Sequence, residues 1–247
     1  HTLTVETTGD GIEVENAALT LTNTGSAGKY VFNCAASGSD GIYVHNTDEN
    51  TTSTLNINSG VEIQVQPTVN SAVHIFGESG NAVVNMYGGR IAVSGFSTSQ
   101  FSAVVVDQSS TMNMYGGEIE AIIDFNGFGY WNDVVGILIQ GQNAVQKDST
   151  VNVSGGKISV GGKNAFAQGI QVGEKNYSST NCTVNISGGE ISINATENGQ
   201  GYAFTAVQKP YAEIEMTGGV ISGNVTSLTL TQDNDNAALT IKGGTVS

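Results

Sequence analysis

At 247 residues the chain fits within the roughly 250 to 300 residues at which a single core stops growing, and repetition from end to end favours one domain, residues 1–247, over two. Eight basic against 22 acidic side chains give a formal charge of -14, which opposes binding to nucleic acid or to an anionic membrane surface. No apolar run approaches the roughly 20 residues of a membrane helix, and 38% hydrophobic residues in regular alternation argue against disorder.

The sequence begins at His1 without Met, shows no charged start followed by an apolar stretch, and ends inside a repeat at Ser247. It is therefore expected to be a processed piece of a longer protein. From the N-terminus onward one phrase recurs: Gly11-Ile12-Glu13-Val14, Gly41-Ile42-Tyr43-Val44, Ala72-Val73-His74-Ile75, Ala103-Val104-Val105-Val106, Gly136-Ile137-Leu138-Ile139, Gly169-Ile170-Gln171-Val172 and Ala203-Phe204-Thr205-Ala206. Between successive copies lies a second phrase, in which an apolar-Asn-apolar strand meets a Gly-Gly corner and an Ile-x-Val strand. Val84 to Val93, Met112 to Ala121, Val151 to Val160, Val184 to Ile193 and Ile214 to Gly223 are its full copies, with imperfect ones at Leu55 to Gly60 and Leu239 to Gly244.

Each strand alternates apolar and polar with period two, so one face is expected to be buried and the other to meet solvent. No stretch of helical length has period 3.6. Three short strands in a period of about 30 residues cannot bury their apolar faces alone, so successive units must stack. The expected fold is all-β: a right-handed parallel β-helix of three strands per coil and about seven to eight coils, about 38 Å long at about 4.8 Å per coil. Leu228-Thr229-Leu230 begins the last unit. Gly-Gly suits a repeated sharp corner that needs positive φ and no Cβ, and Pro67 and Pro210 fall in corners, where a missing N–H costs least.

In this register Glu62, Arg90, Glu118, Lys157 and Glu190 form an outward column of alternating sign, an ion-pair ladder worth about 0 to 1 kcal/mol per pair. Asn56, Asn85, Asn113, Asn152 and Asn185 form another, able to hydrogen-bond down the stack. Cys34 and Cys182 lie about five coils apart, beyond the reach of a disulfide, and two free thiols are expected. They have no neighbouring His pair, and no metal or cofactor is expected.

Variation concentrates in the corners after the third strand, at 96–101, 124–133, 161–166 and 194–202. The corner Asp124-Phe125-Asn126-Gly127-Phe128-Gly129-Tyr130-Trp131-Asn132-Asp133 holds the only Trp, three other aromatics and two carboxylates. Rings that cover apolar faces beside polar groups that fix orientation are how a protein holds a sugar or anchors a partner. The candidate ligand-binding residues are Phe96, Phe101, Asp124, Phe125, Phe128, Tyr130, Trp131 and Asp133; no catalytic residue is assigned. Asp10 and Asp40 occupy equivalent positions about 5 Å apart, the spacing of a retaining glycosidase pair or of two calcium ligands. Asp233-Asn234-Asp235-Asn236 lacks the Gly and distal Glu of a calcium loop.

With its apolar-Asn-apolar-x-Gly-Gly-x-Ile-x-Val units the chain resembles right-handed parallel β-helix surface proteins of bacteria, including autotransporter adhesin passenger domains and the wider pectin-lyase-like group. The resemblance implies an extracellular location on the bacterial surface and a non-enzymatic role in adhesion, aggregation or biofilm formation, with host glycan, matrix protein or a second copy as partner. Its enzymatic members imply a polysaccharide lyase or glycoside hydrolase instead. Asn46-Thr47-Asp48 matches one polygalacturonase motif, but the chain has no Asp-Asp, no His-Gly and no Arg-x-Lys. Arg90, the only arginine, falls in the ion-pair ladder rather than where a lyase base is needed. An ice-binding array fails because Thr20 and Thr22 do not recur in register.

Overall fold

A computed structural model describes residues 2–23, 25, 28–34, 38–66, 70–97, 100–127, 129, 132–140, 148–173, 181–207, 211–226 and 237–247. Among them the secondary structure is all β, and every strand pairing is parallel to the equivalent strand of the next coil. Three sheets result. The first begins with Thr2–Thr7 and takes in Arg90–Phe96, Glu118–Asp124 and Lys157–Lys163; the second runs from Ile12–Glu15 through Asp40–His45, Ser71–Phe76 and Phe101–Asp107 to Gln200–Ala206; the third runs from Ala18–Leu21 through Ser110–Met114 to Ala237–Ile241. They hold nine, seven and eight strands.

The solenoid makes about six turns, fewer than the seven to eight coils expected. Val220–Gly223, Ala237–Ile241 and Thr245–Val246 extend the first and third sheets, but no described strand there extends the second. Pro67, Pro210, Leu228-Thr229-Leu230 and Asp233 to Asn236 lie outside the described residues, as does the side chain of Cys34. Cys182 is free and buried, and burial first, then the fields of Asp107 and Asp148, pushes its thiol pKa up.

Register explains the core. Ile63, Ile91, Ile119 and Ile158 follow one another in the first sheet, and Leu55, Val84, Met112 and Val151 in the third; all are fully buried. Each such side chain contributes about 1.5–3 kcal/mol through loss of apolar surface to water. The corner joining the third sheet to the first turns on glycine: Gly156 has φ 83°, and a Cβ there would sit 2.6 Å from the Gly117 carbonyl oxygen of the coil below.

The Asn ladder forms throughout, while the charged column forms in two stretches, around Arg90 and between Lys157 and Glu190, with no ion pair between Glu118 and Lys157. Asn185 donates to Asn152, Asn152 to Asn113 and Asn113 to Asn85, each at 2.9 Å, and Asn85 donates to Asn56 at 3.0 Å, so the amides satisfy one another along the axis. Lys29 extends the charged column by pairing with Glu62 at 3.5 Å. Arg90 meets Glu62 at 3.2 Å, Glu118 at 3.6 Å and Glu120 at 2.5 Å, and Lys157 meets Glu190 at 3.5 Å.

The second sheet departs from the expected one-sided burial. Every residue of Phe101–Asp107 is buried, and all of Asp133–Gln140 after its first. Outward Val105, Val135 and Leu138 pack into an apolar cluster of their own, so both faces of this part of the sheet are withdrawn from water.

Candidate functional site

Two of the rings grouped with the aromatic corner are withdrawn from its surface. Phe101 and Phe125 are 1% and 3% exposed and belong to the core, which leaves neither ring open to a ligand. Asp124 Oδ1 accepts the Lys163 backbone N–H at 2.8 Å, and Asp133 Oδ1 accepts from Gln168 Nε2 at 2.8 Å; both carboxylates thus bind the next coil. Asn132 Nδ2 closes the corner by donating to the carbonyls of Gly127 at 2.6 Å and Asn164 at 2.9 Å. The Phe96 backbone ends the strand Arg90–Phe96; its side chain, and residues Phe128, Tyr130 and Trp131, lie outside what is described.

The titratable groups gather instead on the outward side of the second sheet, near its N-terminal end. Asp10 Oδ1 accepts the Asp40 backbone N–H at 2.7 Å, so the Asp10 carboxylate is engaged by main chain rather than held opposite a second carboxylate. Asp40 is buried: Oδ1 accepts from Ser71 Oγ at 2.6 Å and Asn70 Nδ2 at 3.2 Å, and Oδ2 meets His74 Nδ1 at 2.9 Å. On the far side of the ring, His74 Nε2 stands 3.9 Å from Oδ2 of the fully buried Asp107. That separation is an ion-pair contact and too long for a hydrogen bond, and Nε2 has no hydrogen-bond partner among the described residues.

Burial of the His74 ring opposes its charge, but interaction with Asp107 and Asp40 more than offsets burial and raises its pKa to about 9. The group is an Asp–imidazolium–Asp bridge across three coils at neutral pH. Tyr43 covers it, with ring centroids 5.2 Å from His74 and 4.6 Å from His45. Burial first, then Asp40, Glu78, Asp10 and Asp107, pushes the Tyr43 hydroxyl pKa up. Glycoside hydrolysis needs two carboxyls facing a common substrate position. Here the Asp40 carboxylate faces the His74 ring, the Asn70 amide and the Ser71 hydroxyl.

Two features escaped sequence reasoning. Tyr87 and Tyr115, at the corner that joins the third sheet to the first, are each 50% exposed, and their rings stack at 5.2 Å with 10° between planes. The signal was present, since the equivalent corner position is Asn58, Ser154, Ser187, Thr217 or Lys242 in other coils; only these two adjacent coils place a ring there, between Asn58 and Ser154. Second, Glu13, Glu15 and His45 bring their donor atoms within 4.8 Å of one another, although no metal was expected. A search for ligands close in sequence misses residues that register brings together from about 30 positions apart.

No family model matches the chain, and neither a curated protein nor a solved structure matches it. The parallel β-solenoid is therefore established by the structure, and the resemblance to bacterial surface proteins rests on the repeat phrases.

Proposed function

We propose that the chain is a non-enzymatic adhesive module of a bacterial cell surface, holding glycan through the outside of its solenoid. The Tyr87–Tyr115 pair carries this reading. Exposed large aromatics cost solvation, and both rings are half exposed, with Asn58 and Ser154 at the corner positions one coil to either side. A sugar presents apolar C–H faces to such rings and hydroxyls to the amide and hydroxyl groups beside them. Matrix protein and a second copy of the chain are the other partners of the same class. Elsewhere the outward columns are occupied with one another, as the Asn and ion-pair ladders are, which leaves the corners to vary.

The chain displayed on a non-adherent cell is expected to cause clumping or binding to glycan-coated surfaces, and the double substitution Tyr87→Ala with Tyr115→Ala to abolish it. Both rings are surface groups, so stability should change by no more than about 0.5 kcal/mol per site, and a thermal melt checks this. Unchanged binding in the double variant rejects the tyrosine corner. Loss in a Phe128→Ala, Trp131→Ala variant alone would place the site in the 124–133 corner.

A further inference from the structure

The outermost strands of the second sheet bring two carboxylates and an imidazole together beyond the His74 bridge. Glu13 and Glu15 stand two apart on Ile12–Glu15 and so project to the same side. His45 is the register partner of Glu15 in the next coil. The donor atoms of all three lie within 4.8 Å of one another, with His45 Nε2 2.7 Å from Glu13 Oε1.

The arrangement is held from behind. His45 is 8% exposed, and its ring stacks on Tyr43 with 10° between planes, which leaves Nε2 as the nitrogen aimed at the carboxylates. Thr47 Oγ1 donates to Glu15 Oε1 at 2.8 Å and accepts from Asn16 Nδ2 at 2.8 Å. Outer-shell contacts of this kind fix the direction of a ligating group before an ion arrives. The ion pairs that Lys and Arg make among the described residues go to Glu62, Glu118, Glu120, Glu190, Glu197 and Glu215, so neither Glu13 nor Glu15 is neutralised that way. Two carboxylates this close repel each other, and a metal ion held between them would relieve that repulsion.

We propose that Glu13, Glu15 and His45 bind one divalent transition-metal ion of the zinc class. An imidazole nitrogen with two carboxylate oxygens selects zinc and its neighbours over calcium and magnesium, which take oxygen alone. Zinc sits about 2.0–2.1 Å from nitrogen and about 2.0–2.2 Å from carboxylate oxygen, so its donors stand about 3–3.5 Å apart in tetrahedral geometry. Glu13 is exposed and has the rotamer freedom to close to that spacing, while the His45 ring and Glu15 stay where Tyr43 and Thr47 hold them. The fourth position faces solvent. Binding would join the strand Ile12–Glu15 to Asp40–His45 through side chains as well as backbone, so it stabilises the first coil by linkage. The inference uses no residue of the tyrosine corner and stands or falls separately from the adhesive reading.

The test is calorimetric titration of zinc chloride into the full chain after chelator treatment, read together with the thermal midpoint. Expected are one ion per chain, a raised midpoint, and affinity at least tenfold lower in both Glu15→Gln and His45→Gln. Because Glu15 is an exposed side chain, Glu15→Gln keeps the test decisive even if His45→Gln fails to fold. Glu213→Gln, on the outer side of the third sheet, should bind as the unchanged chain does. Absence of stoichiometric uptake overturns the proposal. So does uptake unaffected by Glu15→Gln, which would place the ion elsewhere, or equal displacement by calcium and magnesium, which would mean a site without imidazole.

Discussion

Gly162→Ala is expected to cost at least about 3 kcal/mol, one of the largest effects of any single methyl group in the molecule. Gly162 has φ 135°, a region L-residues rarely enter, and a Cβ built there falls 1.8 Å from the carbonyl oxygen and 2.6 Å from the carbonyl carbon of Ile123. Those atoms are backbone of the neighbouring strand, Glu118–Asp124, which is paired on both sides. No rotamer change relieves the clash, and the two strands must separate. In a chain of this size the midpoint of thermal unfolding should fall by about 6 °C or more. A variant as stable as the unchanged chain would show that these strands do not approach as described.

Asp40→Ala should be comparably severe, at about 3–5 kcal/mol, the usual result of removing one partner from a buried charge pair. It strands the Ser71 hydroxyl, the Asn70 amide and His74 Nδ1 together, and leaves the imidazolium with Asp107 alone at 3.9 Å. The same network gives stability a pH dependence with a defined sign. His74 is raised to about 9 in the folded chain against about 6.5 when unfolded, so the folded state binds the extra proton. The stabilisation is complete below about pH 6.5 and is lost as pH rises towards 9, a change on the order of 3 kcal/mol. Urea midpoints measured across that window should fall in the unchanged chain and stay level in His74→Gln. A midpoint that rises with pH would contradict a charged His74.

The fold was legible because its determinants are periodic. Ile91, Ile119 and Ile158, or Asn85, Asn113 and Asn152, recur in equivalent places, and a parallel stack puts equivalent residues in contact. The same logic extended the charged column to Lys29 once register was known. What could not be read was whatever differs between coils. Alternation predicts that Val105 and Leu138 face water, yet they are buried; period two reports which way a side chain points, not whether anything lies over it. Asp10 and Asp40 were correctly placed in adjacent coils, but His74, which decides what Asp40 does, sits in the coil beyond. Phe125 was grouped with the aromatic corner by sequence proximity and Phe101 as its neighbour one coil below, while their places just past the end and at the start of strands turn them inward. Tyr87 and Tyr115 were hidden inside the phrase that looked most like scaffold.

The most direct test of the central claim, a binding solenoid rather than an enzyme, is incubation of the chain with acidic and neutral polysaccharides while reducing ends and unsaturated products are followed. No turnover is predicted, because Asp40 is committed to His74 and its neighbours and Asp10 to backbone. Turnover that disappears in Asp10→Asn or Asp40→Asn would contradict that account.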